Sequence, residues 1–193
     1  MAAPQTEFRC AAGLIRVSGR IQQVSQKRFA PVTIETAAPG LPAAAEILRD
    51  YLSEMISRYY GRPTDDAEID RRLGAGYDSD DLVEPTGVLL VARSADGGAP
   101  PRPIGCVGLR WLDEQTRELT RMFVRPEARG TGVAALLLAA AEQRARADGA
   151  SVIRLHTRSD LVEARSLYAK HGYQEIPRYG DDPLADYCFE KKL

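Results

Sequence analysis

Histidine and cysteine are scarce in this chain, and each scarcity closes off a class of function. There are two histidines and three cysteines in 193 residues. With only His156 and His171, a histidine-rich metal centre is not expected. Cys10, Cys106 and Cys188 are odd in number and far apart. They make neither a metal-ligand spacing nor a disulfide framework, so the reducing cytoplasm is the expected setting. An excess of charge is also missing. The formal net charge is −1, which gives no electrostatic case for a nucleic acid or a membrane surface as partner. No apolar run approaches the ~20 residues that cross a bilayer, and there is no internal repeat or low-complexity segment. What is present is 44% hydrophobic and 27% charged residues, the make-up of a soluble globule long enough to bury one full core.

The first thirty residues stand apart. They carry Arg9, Arg16, Arg20, Lys27 and Arg28 against the single acid Glu7. They read as an N-terminal extension, poorly ordered or loosely docked. A transit-like peptide, or an extra element built on Leu14, Ile15, Val17 and Ile21, are the other readings. The domain itself is expected over residues 31–193.

Within it, Val32 and Ile34 alternate with Thr33 and Glu35, a strand signal closed by Pro39-Gly40. Ile47, Leu48, Tyr51, Leu52, Met55, Ile56 and Tyr59 form a helical stripe over Leu41 to Tyr60, stopped by Gly61 and Pro63. A short second helix is expected from Thr64 to Leu73, on a capping-box-like Thr64-Asp-Asp-Ala-Glu offset by one residue. A loop (74–85) and a buried strand from Gly87 to Ser94 come next. After a Gly- and Pro-rich turn (95–103), two strands flank Asp113-Glu-Gln115 as a hairpin. Beyond it come a helix ending at Gly149, a strand from Val152 to Arg158, a helix from Asp160 to His171, and two closing strands.

The most informative stretch is Glu118-Leu-Thr-Arg-Met-Phe-Val-Arg-Pro-Glu-Ala-Arg-Gly-Thr-Gly-Val-Ala134. It reads as strand, turn and helix start. Gly130 and Gly132 remove Cβ atoms where a phosphate could approach the main chain. The helix adds unpaired first-turn N–H groups and the positive end of its dipole, which together favour an anion. Gly130-Thr-Gly132-Val-Ala-Ala135 fits the dinucleotide pattern G-x-G-x-x-A. That fold repeats strand–helix–strand units on both sides of the loop, whereas the strands upstream here are joined as hairpins.

Arg129-Gly130-Thr131-Gly132-Val133-Ala134 is also similar to the pyrophosphate loop of the GNAT acyltransferases, Arg/Gln-x-x-Gly-x-Gly/Ala. The element order, strand, two helices, three antiparallel strands, helix, strand, helix, two strands, resembles that family over Val32 to Leu193. So do Ala164-Arg-Ser-Leu167-Tyr168-Ala-Lys-His-Gly172-Tyr173 and Pro177-Arg-Tyr179-Gly180-Asp-Asp182-Pro183-Leu184. The resemblance implies an α/β GNAT fold, with a mixed, mostly antiparallel central sheet of about seven strands flanked by four helices. Many members place Asn three residues before the Ala; this chain has Leu161 there, so no contact made by an asparagine is carried over.

The resemblance further implies an N-acetyltransferase that moves an acetyl group from acetyl-CoA directly to a primary amine of a small molecule. A protein or peptide N-acetyltransferase and a non-catalytic acyl-CoA-binding domain are the alternatives, and a homodimer is left open. The cofactor would be held by Met122, Phe123 and Val124 at the strand end, with Val124 offering main-chain bonds to the pantetheine arm. Arg129, Gly130, Thr131, Gly132, Val133 and Ala134 would hold the pyrophosphate, with Arg129 or Arg125 adding charge. No metal is called for. An alkylamine is protonated at neutral pH, with a pKa near ~10, so a base must act. Glu118 is the candidate, on the strand face of Thr120 and Met122 by period-two alternation; His156 is the reserve. Glu118 could instead be an ion pair with Arg110. Tyr168 is the expected proton donor to the leaving thiolate, against a packing role. The acceptor would be chosen by Tyr51, Glu54, Arg58, Tyr59, Tyr60, Asp65, Asp66 and the Tyr179–Asp182 loop.

Overall fold

A computed structural model describes residues 31–73, 79–94 and 101–193. The expected extension (1–30), most of the turn (95–100) and the first part of the loop (74–78) lie outside the described residues. The described elements run β1 (Val32–Thr36), α1 (Pro42–Tyr60), α2 (Asp66–Arg72), β2 (Gly87–Ser94), β3 (Arg102–Trp111), β4 (Thr116–Val124), α3 (Val133–Ala147), β5 (Val152–Thr157), α4 (Val162–Lys170), β6 (Gln174–Ile176) and β7 (Tyr187–Lys192). This is the order expected from the sequence. Among the described residues no helix is long and apolar enough to cross a membrane.

Pro42 fits the first helical turn of α1, where its missing N–H costs nothing. Ala44, Ile47, Leu48, Leu52 and Ile56 then fall on one buried face. Gly61 ends the helix in the left-handed conformation, φ 64°. The cap of α2 is Asp65 rather than Thr64: its carboxylate accepts from the Glu68 N–H at 2.8 Å, while Thr64 Oγ1 donates to the Glu68 carboxylate at 3.0 Å. Helix α4 begins two residues later than expected. The Asp160 carboxylate is taken by Arg158 at 2.8 Å and its carbonyl by Arg58 at 2.5 Å, so it is not available as a cap.

The strand order is β1-β2-β3-β4-β5-β7-β6. All neighbours are antiparallel except β4 and β5. One face of the sheet packs on α3 and α4 through Leu109, Leu119, Leu137, Leu138, Ile153 and Leu155; the other packs on α1 through Ile47, Leu89, Val91 and Phe123. Leu137 and Leu138 are fully buried. Each stabilises the fold by roughly 2 kcal/mol, and together they fix where α3 begins, which sets the glycine turn before it.

Two irregularities in β4 break the regularity of the sheet near its middle. The parallel pairing of β4 with β5 stops at Glu118–Arg154, so the sheet splits beyond that point. Against β3, Cys106 faces Phe123 while Gly108 faces Thr120. Two residues of β4, Arg121 and Met122, therefore oppose the single Val107 of β3, with Arg121 as the extra residue at φ 52°. The bulge reverses the side-chain alternation. Met122 packs on the α3 face with Leu119, while Phe123 packs on the α1 face. The expectation that Glu118, Thr120 and Met122 share a face fails here, because period two does not survive an inserted residue.

Candidate active site

The split between β4 and β5 opens into a cleft, and the glycine turn closes one end of it. Gly130 and Gly132 have φ of 75° and 91°, and a Cβ at either would meet nothing within 4 Å. Both are glycines for conformation, and the space in front of them is open. Gly132 precedes α3, whose first bond is Leu136 N–H to Gly132 O at 3.0 Å. The N–H groups of Val133, Ala134 and Ala135 thus have no carbonyl one turn back to bond. This end of the cleft, about 260 Å³, is lined by Met122, Phe123, Val124, Arg129, Gly130, Gly132, Val133 and Ala134. Thr131 is set differently: its hydroxyl donates to Ala128 O at 2.6 Å and ties the turn together. Arg129 donates to Val124 O at 2.9 Å and pairs with Glu54 of α1. Arg125 does not reach the turn. Its guanidinium goes to Glu46 at 2.6 Å, Asp50 at 2.5 Å and Pro103 O at 2.8 Å, pinning α1 to the end of β4.

Main-chain N–H groups open to an anion, followed by an apolar channel past Ala164 and Leu167, fit the diphosphate and extended arm of an acyl-coenzyme A. Those residues would hold it, and it would supply an acyl group activated as a thioester.

At Met55, Met122, Leu161 and Ala164 this space meets a second cavity, of about 160 Å³. Tyr168 stands here, 4% exposed, against Tyr173 and Phe189 at ring distances of 5.7 and 6.1 Å. Burial pushes its phenol well above the ordinary range, so it stays protonated and able to donate.

The second cavity also receives His156 and Asp182. His156 Nε2 lies 3.1 Å from Asp182 Oδ2, and Nδ1 lies 3.4 Å from Glu118 Oε1. Glu118 does not line the cavity. It sits behind His156, 6% exposed, accepting from the Tyr179 hydroxyl at 3.1 Å and facing Arg110 at 3.5 Å. Burial raises the Glu118 carboxyl, but His156, then Tyr179 and Arg110, outweigh it and hold the group below its ordinary range. The hydrogen bond to Glu118 raises His156; burial opposes it, and the charges of Glu118 and Asp182 add to the rise.

Arg110 is thus near Glu118, as weighed from the sequence, but also pairs with Asp81. The chain pattern missed two things. Arg121 lines the cavity because of a bulge, for which no sequence signal was read. Glu118 and His156 were read as rivals, and they stand as neighbours because β4 and β5 run side by side at that level. Asp65 and Asp66 lie on α2 and line neither cavity.

The profile of the acetyltransferase (GNAT) family matches residues 45–173. An IAA acetyltransferase of Azospirillum brasilense is 34% identical over 139 residues, spanning 65% of this chain and 86% of its own. Two solved structures share the fold. PaiA N-acetyltransferase of Thermoplasma acidophilum, in complex with coenzyme A, has a TM-score of 0.64 at 21% identity, covering 84% of this chain and 99% of its own. A GNAT family acetyltransferase of Elizabethkingia anophelis with acetyl-CoA bound has a TM-score of 0.55 at 18% identity, covering 84% and 98%. The chain belongs to the GNAT acetyltransferase family.

Proposed function

We propose, from that membership, that this acetyltransferase carries the acetyl group of acetyl-CoA to the primary amine of a small molecule, directly, while both are bound. The observation that carries this reading is one continuous cleft, from the glycine turn through Met122 and Ala164 to His156 and Asp182. Direct transfer is supported by the thiols. Cys106 and Cys188 are free and buried, neither lines the cleft, and burial pushes Cys106 up to about 12, too high for a nucleophile at neutral pH. Buried free thiols also suit the cytoplasm.

In this reading Glu118 and His156 act as one unit. Resting between two carboxylates, His156 has its protonated form favoured. An incoming ammonium pairs with Asp182 and opposes that charge, which favours the neutral imidazole. Its Nε2 is then the base that takes the amine proton. Glu118 holds Nδ1 and stabilises the charge that forms, acting through His156. Tyr168 donates to the sulfur as negative charge develops there; burial disfavours both anions, so the phenol acts by hydrogen bonding as the charge forms. Main-chain N–H groups of Gly130 to Ala134 hold the diphosphate, with Arg129 adding charge. Met122, Phe123 and Val124 flank the arm.

A thiol-release assay with acetyl-CoA across a panel of primary amines tests the reading. Release that depends on one class of small amine supports it; binding of acetyl-CoA with no release for any amine removes it.

A further inference from the structure

Beyond the cavity that holds His156 lies a third space, of about 230 Å³, joined to it at Met55, Arg158 and Leu184. Helix α1 supplies one wall with a stripe at helical spacing, Leu52, Ile56 and Tyr59. Leu52 and Ile56 are buried, but Tyr59 and Tyr60 are 55% and 46% exposed, edge to face at a ring distance of 4.9 Å. Two rings that line an apolar space without being covered by the core suit the body of a ligand. Pro183 and Leu184 of the late loop add another wall. Each of the two spaces is smaller than the roughly 300 Å³ at which pockets for drug-sized ligands begin, so the occupant is short.

The loop that walls this pocket also carries the acid. Asp182 lines the His156 cavity, Pro183 the apolar pocket, and Leu184 both. Asp182 Oδ2 lies 3.1 Å from His156 Nε2, and its Oδ1 accepts from the Leu184 N–H at 2.8 Å. That bond fixes the acid and the apolar contact relative to each other. An amine placed by Asp182 and His156 can therefore run its carbon chain past Leu184 into the pocket. Among the described residues, Asp182 is the one carboxylate that lines the two spaces. The charged residues of the apolar pocket are both cations. Arg158 is engaged by Asp160 at 2.8 Å from two nitrogens, and Arg72 donates to the Tyr60 hydroxyl at 2.6 Å. A second ammonium entering here would give up water and meet no lining acid. A polyamine or an aminoglycoside needs acids at several points along its length; this pair of spaces offers one, at the reacting end.

We propose, resting on the acyltransferase reading above, that the acceptor is a primary monoamine with a short, uncharged apolar body, alkyl or aryl. Its nitrogen is placed by Asp182 and His156, and its body by Leu184, Ile56 and Tyr59. The nitrogen forms a bond to the acetyl carbon, and the carbon–sulfur bond breaks with its electron pair going to sulfur. Of the two protons that the ammonium gives up, one leaves through His156 to solvent and one ends on the sulfur. The products are an N-substituted acetamide and coenzyme A.

The experiment is thiol release with acetyl-CoA on ethylamine, hexylamine, phenethylamine, 1,6-diaminohexane and spermidine. Hexylamine and 1,6-diaminohexane match in length and differ in the charge at the far end; ethylamine is too short to fill the pocket. Hexylamine is expected to exceed both by roughly tenfold or more in kcat/KM. Tyr59→Ala removes an exposed wall of the pocket, and the ratio of hexylamine to ethylamine should fall threefold or more. If Tyr59→Ala fails to fold by circular dichroism, Leu184→Ala replaces it with the same expected fall. Ethylamine or 1,6-diaminohexane used as well as hexylamine, spermidine preferred, or a ratio that the folded variant leaves unchanged would overturn the apolar-monoamine assignment and leave acetyl transfer standing. No release with any amine would overturn both.

Discussion

The two ends of the cleft are built in different ways. In the reading proposed above, the working groups at the coenzyme end are main-chain N–H groups from one uninterrupted stretch, Gly130 to Ala135, presented by two left-handed glycines and a helix start. At the acceptor end they are side chains from separate parts of the chain: Tyr51 on α1, Arg121 on the β4 bulge, His156 on β5 and Asp182 in the late loop. A backbone-built site tolerates exchange of its side chains but not of its backbone conformation. A side-chain-built site does the reverse. Chemistry common to a family can rest on the first kind, and choice of acceptor on the second.

The hardest blow to the backbone end is Gly132→Val. A β-branched residue at φ 91° is strained, and relieving that strain moves the N–H groups behind it. Losing two charge-assisted hydrogen bonds to a diphosphate weakens coenzyme A binding by on the order of 10³-fold. Calorimetry with coenzyme A measures this, and circular dichroism confirms that the sheet persists. Thr131→Val is the paired control at the same turn; its hydroxyl serves only Ala128 O, so affinity should fall far less. If the two substitutions hurt equally, the turn is held by side chains and the contrast is wrong.

At the side-chain end, His156→Asn should cost about 10²-fold in kcat while leaving coenzyme A affinity near its wild-type value. The pH profile carries more. His156 is raised above 6.5, so the acid limb of kcat/KM should lie above that pH. Glu118→Gln removes the first cause of the rise, and the limb should move down while the rate at high pH falls less than in His156→Asn. If Glu118 itself takes the proton, the limb should vanish in Glu118→Gln and remain in His156→Asn. Stability tracks the same groups with defined signs. The raised His156 contributes stability below 6.5 and loses it as pH rises through its folded value; the lowered Glu118 contributes above 4.5 and loses it as pH falls through its own. The pair therefore stabilises the fold chiefly between 4.5 and the folded His156 value, and Glu118→Gln should flatten the stability curve over that window.

Tyr168 sits between the two ends. Tyr168→Phe keeps the ring against Tyr173 and Phe189 and removes the hydroxyl. A roughly tenfold loss in kcat with little change in the acetyl-CoA KM is the expected pattern of a contact made as the thiolate forms. An unchanged kcat would leave Tyr168 with packing alone.

The same contrast governs what could be read from the sequence. The seven strands and four helices of the described residues were legible because their signals are local: alternation in Val32–Thr36, the Ile47–Leu48–Leu52–Ile56 stripe, Gly61 and Pro63 at the end of one helix. The glycine turn was legible for the same reason, since Arg129 to Ala134 are neighbours in sequence and in space. Glu118 beside His156 was not, because their meeting depends on β4 and β5 pairing in parallel for three residues and then splitting. Arg121 was hidden more deeply. A bulge is a property of two strands' registers, and period-two reasoning on β4 alone places Met122 on the wrong face. Arg125 misled in the opposite way: it lies close to the turn in sequence, but Glu46 and Asp50 of α1 claim its guanidinium.

Leu161 offers the finest test of the contrast, because it lines both spaces without supplying a polar group to either. Related enzymes with Asn at the matching position would add a side-chain contact to coenzyme A there. If this chain holds the coenzyme by its main chain, Leu161→Asn adds at most one neutral hydrogen bond in a partly wet cleft, about 1 kcal/mol before the cost of ordering the amide. The expected gain in coenzyme A affinity by calorimetry is under about threefold, and Leu161 is only half-buried, so the melting temperature should barely move. A gain of tenfold or more would mean that the backbone end is incomplete as it stands, and that a side chain can supply what the turn does not. It would also separate two roles that Leu161 now combines. Polar substitution at the meeting of the two spaces should weaken the apolar contact with the acceptor, so kcat/KM for an apolar amine should fall even as coenzyme affinity holds. A fall in one parameter without the other is what a boundary residue between a backbone-built site and a side-chain-built site should give.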